Sequence, residues 1–170
     1  DWLINNAGIS DAAPIKRHTD EMWDRILELN TTAAFRLSRA FIPPMIEKKY
    51  GRVVNIASTA ALSGMAYTHA YCASKHAMVG FTRSMAMELA KTGITVNAVC
   101  PGWVETEMVT EALDRIVRKT GRTREQAKAT LTDPVPMGEF VQPHEVAHIV
   151  AMLCSDEARD RKSTRLDSSH

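Results

Sequence analysis

The chain has 170 residues, 45% of them hydrophobic and 24% charged, with a formal net charge of +1. That length suffices for one domain with a buried core. A charge this close to zero, with no basic stripe and no apolar run of the ~20 residues a bilayer needs, argues against nucleic acid or membrane as partners.

Trp2-Leu3-Ile4 predicts a buried strand that stops at the tight turn Asn5-Asn6-Ala7-Gly8. The chain opens inside this pattern, with neither methionine nor signal peptide, so we expect missing upstream residues and a cytoplasmic protein. Residues 9–18 read as a loop around Pro14. Thr19 suits an N-cap, and Asp20 and Glu21 suit the positive end of a helix. Trp23, Ile26, Leu27, Ala34, Leu37 and Phe41 then recur at helical spacing. Asn30 lies on the same apolar stripe. A buried amide needs partners, so Asn30 is either a structural bridge or a functional group. Pro43-Pro44 should disrupt this helix, and Tyr50-Gly51 should close the turn after it.

Arg52–Ala57 is a β-branched strand, with Ser58 just past its end. Residues 59–66 are small and loop-like. A helix rich in Ala, Ser and Met runs from about Thr68 to Lys91, with Gly93 as its expected C-cap. Such small residues let other backbones approach closely, so this helix should be buried on more than one side. Ile94–Cys100 is the next strand, ended by Pro101-Gly102. Residues 103–140 read as a helical excursion, with a capping box at Thr123 and Gln126. Pro134, Pro136 and Gly138 break it, and Pro143 starts a last helix through Cys154.

From Asp156 onward the chain is polar and should supply no core strand. Residues 161–170 read as translated cloning sequence and are set aside. Cys72, Cys100 and Cys154 have apolar neighbours and no metal-like spacing, so they read as buried thiols and no metal is expected. Strands alternate with helices throughout, which predicts an α/β fold with a parallel sheet covered on both faces.

Tyr71 and Lys75 are four residues apart, hence neighbours on one helix face. A cation about 5.5 Å away in an effective dielectric of about 20 would favour the phenolate by roughly 3 kcal/mol. The phenol would then titrate near 8 rather than near 10, roughly two units lower. Three strands end in unusual turns, at Asn5–Gly8, at Ser58 and at Pro101-Gly102. In parallel α/β sheets the carboxyl ends of strands share one rim, where ligands bind.

Taken together, Asn5-Asn-Ala-Gly8, Asn30, Ser58, Tyr71-x-x-x-Lys75 and Pro101-Gly102-x-x-x-Thr106 resemble the short-chain dehydrogenase/reductase family. The resemblance covers residues 1 to about 160 and implies a Rossmann-like, doubly wound parallel sheet. It also implies NAD- or NADP-dependent interconversion of a carbonyl and an alcohol. By this resemblance Tyr71 is the general acid and Ser58 polarises the substrate oxygen. Lys75 lowers the tyrosine pKa and holds the nicotinamide ribose, while Asn30 anchors a water that links Lys75 to solvent. Asn5, Ala7 and Gly8 let the cofactor pass the sheet edge. Pro101, Gly102, Val104 and Thr106 orient the nicotinamide.

The family's Gly-rich fingerprint and the residue that separates NAD from NADP are absent, as is its Asp-Gly-Gly strand ending. The expected fold is therefore partial, with N-terminal βαβ units and the last strand missing, and this chain alone should be inactive.

Ile94–Met108 resembles 3-oxoacyl-thioester and polyketide ketoreductases, and also 3-hydroxybutyrate dehydrogenases. Residues 103–140 would form the substrate lid. Arg115, Arg118, Lys119, Arg122 and Arg124 offer a basic cluster for a carrier- or CoA-linked substrate, against the plainer reading of a solvated helix face. A non-catalytic scaffold on the same fold is the reading from a different class. By resemblance a homo-oligomer is expected, with residues 20–42 and 68–91 packing against other copies.

Overall fold

The structure, a computed structural model, describes residues 1–158 and 165–167. Strand β1 (Trp2–Asn5) leads to helix α1 (Asp20–Leu27), which passes through a π-helical turn, Glu28–Thr32, into α2 (Ala33–Lys48). Strand β2 (Gly51–Ile56), helix α3 (His69–Glu88) and strand β3 (Ile94–Cys100) follow. The excursion holds α4 (Glu107–Thr120) and α5 (Arg124–Thr132), and α6 (Pro143–Cys154) returns the chain to the sheet.

The strands lie in sequence order and pair in parallel, with Leu3 beside Val53 and Val53 beside Val96. Alternation along β2 divides the core in two. Val53 and Val96 pack with Met45 of α2 and Met85, Ala86 and Leu89 of α3 on one face. Val54 and Val99 pack with Leu153 and Cys154 of α6 on the other. β2 and β3 are therefore buried on both faces, as their apolar runs require. The excursion builds a separate small core from Val109, Leu113, Ala127 and Phe140.

The caps follow the sequence. Thr19 Oγ1 accepts from the amide of Met22, Thr123 and Gln126 close a capping box, and Pro143 occupies the first turn of α6. No disulfide joins the cysteines; Cys100 and Cys154 are buried and Cys72 is half-buried. Among the described residues no helix is long and apolar enough to cross a membrane.

Three expectations are corrected. Helix α2 runs straight through Pro43 and Pro44 to Lys48. Both prolines are exposed, as are Arg39 and Ala40, whose carbonyls they leave without a helical donor, so water can take that place. Residues 165–167 form a fourth strand, β4 (Arg165–Asp167), with Ala98 beside Arg165 and Cys100 beside Asp167. A ladder is made by backbone groups, and the outer edge of β3 presents them whatever the side chains of its partner. The assignment of 161–170 to cloning sequence falls largely outside the described residues. Gly93 lies past the end of α3, whose C-cap is Leu89.

Gly93 has its own reason to be glycine. Its φ is +85°, and a Cβ there would sit 2.1 Å from the carbonyl oxygen of Lys49. Gly93→Ala should therefore destabilise the fold by about 2–3 kcal/mol, read as a lower urea midpoint at unchanged slope.

Candidate active site

The carboxyl ends of β1, β2 and β3 lie side by side, with Asn5 beside Asn55 and Ile56 beside Val99. The amide of Ala57 donates to Val99 O at 2.8 Å, and that of Thr59 donates to Pro101 O at 2.9 Å. The turns after β2 and β3 are thereby tied together. Ser58 is 8% exposed and caps a short 3-10 turn, its Oγ accepting from the amide of Ala60.

Helix α3 begins just beyond this rim, with Tyr71 in its first turn and Lys75 one turn later. The Lys75 amine lies 5.7 Å from the centre of the Tyr71 ring and donates to Ile56 O at 2.8 Å. Lys75 is only 4% exposed. Burial lowers its pKa to about 8, opposed by the nearby Cys100 thiol. Burial also raises the Tyr71 phenol, while a hydrogen bond with Ser58 draws it down and Cys72 adds to the rise. The expected phenol near 8 is thus not what the structure has. Desolvation disfavours both charged forms, and it lowers the amine instead of the phenol.

Asn30 reaches the same place from the other side. The π-helical turn widens the backbone around it, and the side chain is fully buried. Its Oδ1 accepts from the amide of Ile9 at 2.8 Å. Its Nδ2 donates to Ile9 O at 2.9 Å and to Ser74 Oγ at 3.0 Å. Gly8 closes the group, since a Cβ there would lie 3.3 Å from Asn30 Oδ1 and 3.4 Å from the Lys75 amine. Gly8, Asn30, Lys75, Tyr71 and Ser58 are therefore brought together.

The other predicted residues divide. Asn5 turns into the sheet, where its Nδ2 donates to Asn55 Oδ1 at 2.7 Å, and Asn55 Nδ2 donates in turn to Thr82 Oγ1. Asn5 Oδ1 is buried with no partner. Ala7 is exposed and Pro101 buried. Val104 bridges to Val141 through bonds made by Trp103 and Glu105, so neither bond uses the amide of Val104 itself. Thr106 is exposed, and its hydroxyl donates to Val104 O at 3.2 Å. A side chain at 102 would meet open space, so packing does not explain the glycine there. The sequence reading missed Asn55, Thr82 and Ser74. A polar residue inside a β-branched run was the available signal for Asn55.

A family profile described as short chain dehydrogenase matches residues 1–116. The chain belongs to the short-chain dehydrogenase family. Within that family it is 44% identical over 160 residues to D-beta-hydroxybutyrate dehydrogenase of Cupriavidus necator, which covers 94% of this chain and 62% of that one. It is 43% identical over 158 residues to 3-oxoacyl-(acyl-carrier-protein) reductase of Vibrio cholerae, covering 93% and 60%. A crystal structure of an actinorhodin polyketide ketoreductase variant with NADPH superposes with a TM-score of 0.92 at 41% identity. That match takes in 99% of this chain and 65% of the ketoreductase. The chain spans about three fifths of the length of these curated relatives. As a member of the short-chain dehydrogenases it has the Rossmann-like parallel α/β fold expected of it.

Proposed function

We propose that this chain carries the catalytic half of a cytoplasmic NAD- or NADP-dependent oxidoreductase that interconverts a ketone and a secondary alcohol. The observation behind this reading is the convergence of Ser58, Tyr71, Lys75 and Asn30 on one rim, with Gly8 leaving the space between Asn30 and Lys75 unfilled by a side chain.

A dinucleotide fits the residues present at its nicotinamide end. Gly8 presents no Cβ beside Lys75, and the amide of Val104 is left over from the bridge to Val141. Lys75 would hold the ribose hydroxyls, Asn5, Ala7 and Gly8 would border the cofactor, and Pro101, Gly102, Val104 and Thr106 would orient the nicotinamide. When bound, the cofactor supplies or takes up hydride at the substrate carbon.

The residues then handle the oxygen. Ser58 donates a hydrogen bond that polarises it, and Tyr71 gives it a proton in the reductive direction. In the oxidative direction Tyr71 takes that proton back. Asn30 would anchor a water that links Lys75 to solvent for proton supply.

We read the substrate as a 3-oxoacyl thioester, on a carrier or CoA, in line with the relatives named for such reduction. A 3-hydroxy acid is the second reading, favoured by the 44% identity to a hydroxybutyrate dehydrogenase. Residues 103–140 would be the lid, since they form their own small core beside the rim. The basic cluster is partly engaged locally. Arg124 pairs with Asp114, Arg115 lies 3.8 Å from Asp11, and Arg122 donates to Thr130. That supports the solvated-face reading over a carrier-docking one. The assembly we propose is a homo-oligomer through α1–α2 and α3, which expose Trp23, Phe35, Leu37, Phe41 and Met87.

Turnover of a 3-oxoacyl thioester by the full-length protein, followed by loss of reduced nicotinamide, tests the reading. We expect thioester reduction to outpace that of the free 3-oxo acid. Turnover of neither substrate with NADH or NADPH would leave the scaffold reading standing.

A further inference from the structure

Ser74 lies between Tyr71 and Lys75 and has no exposed surface. Both hydrogen-bonding roles of its hydroxyl are in use. The Oγ–H donates to the carbonyl of Tyr71 at 2.8 Å, and Oγ accepts from Asn30 Nδ2 at 3.0 Å. Its own carbonyl accepts from Thr31 Oγ1 at 3.0 Å. Two neighbouring residues of the π-helical turn thus end on this one residue of α3, and the residue passes a bond on to the backbone of Tyr71.

The direction of these bonds matters. A carbonyl only accepts, so the Ser74 proton is committed to Tyr71 O. Toward Asn30 the oxygen then acts only as an acceptor, and Asn30 must present its NH2 group. The amide oxygen of Asn30 accordingly accepts from the amide of Ile9, on the side where Gly8 leaves space, while Nδ2 also donates to Ile9 O. Ile9 fixes the same orientation from the loop, and among the described residues Ser74 alone fixes it from the helix that carries Tyr71.

We propose that Ser74 is a positioning residue, which locks the orientation of the Asn30 amide to the backbone of Tyr71 so that both keep one geometry during the reaction. This rests on the proposed oxidoreductase reading. The hydroxyl does not reach the substrate, and its effect passes through Asn30 and Tyr71.

The test compares Ser74→Ala, Ser74→Cys and Ser74→Thr in the full-length protein. Cysteine fills the serine space but bonds weakly, whereas threonine keeps the hydroxyl. We expect kcat to fall about 10-fold to 100-fold in the Ala and Cys variants with KM little changed, because misplacement acts on the chemical step. The alkaline limb of the pH profile should move in both, and threonine should recover it. Hydrogen exchange at the amide of Ile9, which Asn30 holds, should quicken in the Ala and Cys variants whether or not they turn over. Wild-type kcat and wild-type Ile9 protection in Ser74→Cys would mean that Ser74 only fills space, and the proposal would fall. A Tyr71→Phe control keeps the two ideas apart. Undiminished turnover there would remove the oxidoreductase role of Tyr71, while Ile9 exchange would still decide the lock.

Discussion

Lys75→Met is expected to leave the fold more stable at neutral pH and the enzyme without useful turnover. The amine titrates near 8 in the folded chain, against 10.5 ordinarily. Between those two values the unfolded chain keeps a proton that the folded chain has lost. Stability therefore rises with pH through that window, and below about pH 8 the burial penalty is present in full. The shift corresponds to about 3 kcal/mol, since each pKa unit is about 1.4 kcal/mol. Methionine removes that penalty in a side chain of similar length. It also removes the donor to Ile56 O, which costs about 1–2 kcal/mol. The net gain at pH 7 should be about 1–2 kcal/mol. It should shrink toward zero or reverse as the pH approaches 10. Urea unfolding of both proteins at the two pH values measures this directly. A variant that is less stable at pH 7 would show that the burial penalty is smaller than the contribution of the lost bond to Ile56. Turnover should drop about 1000-fold, because a buried cation aimed at a site is kept for its charge and not for packing.

The same lysine shows where the sequence could be read and where it could not. Spacing alone placed Tyr71 and Lys75 on one helix face, and the strand ends at Asn5, Ser58 and Pro101 on one rim. Those are consequences of helix and sheet periods, which short-range pattern determines. The sequence also made the capping of α1 and α5 and the start of α6 legible, because each cap is a local hydrogen bond. The titration of Tyr71 was not legible, because burial is a tertiary quantity. A Coulomb estimate at high dielectric had no means of including it. Nor was the π-helical turn at Asn30: past it the buried face carries Ser38 and Met45, while Leu37 and Phe41 of the apolar stripe are exposed. The run of α2 through Pro43 and Pro44 depended on which side of the helix faces water. Strand β4 depended on an exposed ladder edge on β3, a property of the partner and not of residues 165–167. Ser74 was hidden for a different reason. Buried serines are common on close-packed helices, and only the direction of its two hydrogen bonds sets it apart.

Tyr71→Phe carries the largest effect on the chemistry. The substitution removes one half-buried hydroxyl and leaves the ring in place beside Lys75. Ser58 Oγ keeps its contact with the amide of Ala60, so folding stability should change by no more than about 1 kcal/mol. Turnover, by contrast, loses the phenolic proton of Tyr71, and kcat should fall at least about 1000-fold, within the range for a positioned acid. The pH dependence separates this from general damage. Burial holds the phenol above its ordinary pKa, so it stays protonated across the neutral range. Ketone reduction by the wild type should then be flat near pH 7 and decline only in alkali. Alcohol oxidation, which needs the phenolate, should climb with pH over the same range. Residual activity of the phenylalanine variant should follow neither limb. If its oxidation rate still climbed with pH as steeply as the wild type, the titrating group would lie elsewhere. Lys75, with its pKa near 8, would then be the next candidate, and its methionine variant would have to lose the slope that Tyr71→Phe had kept.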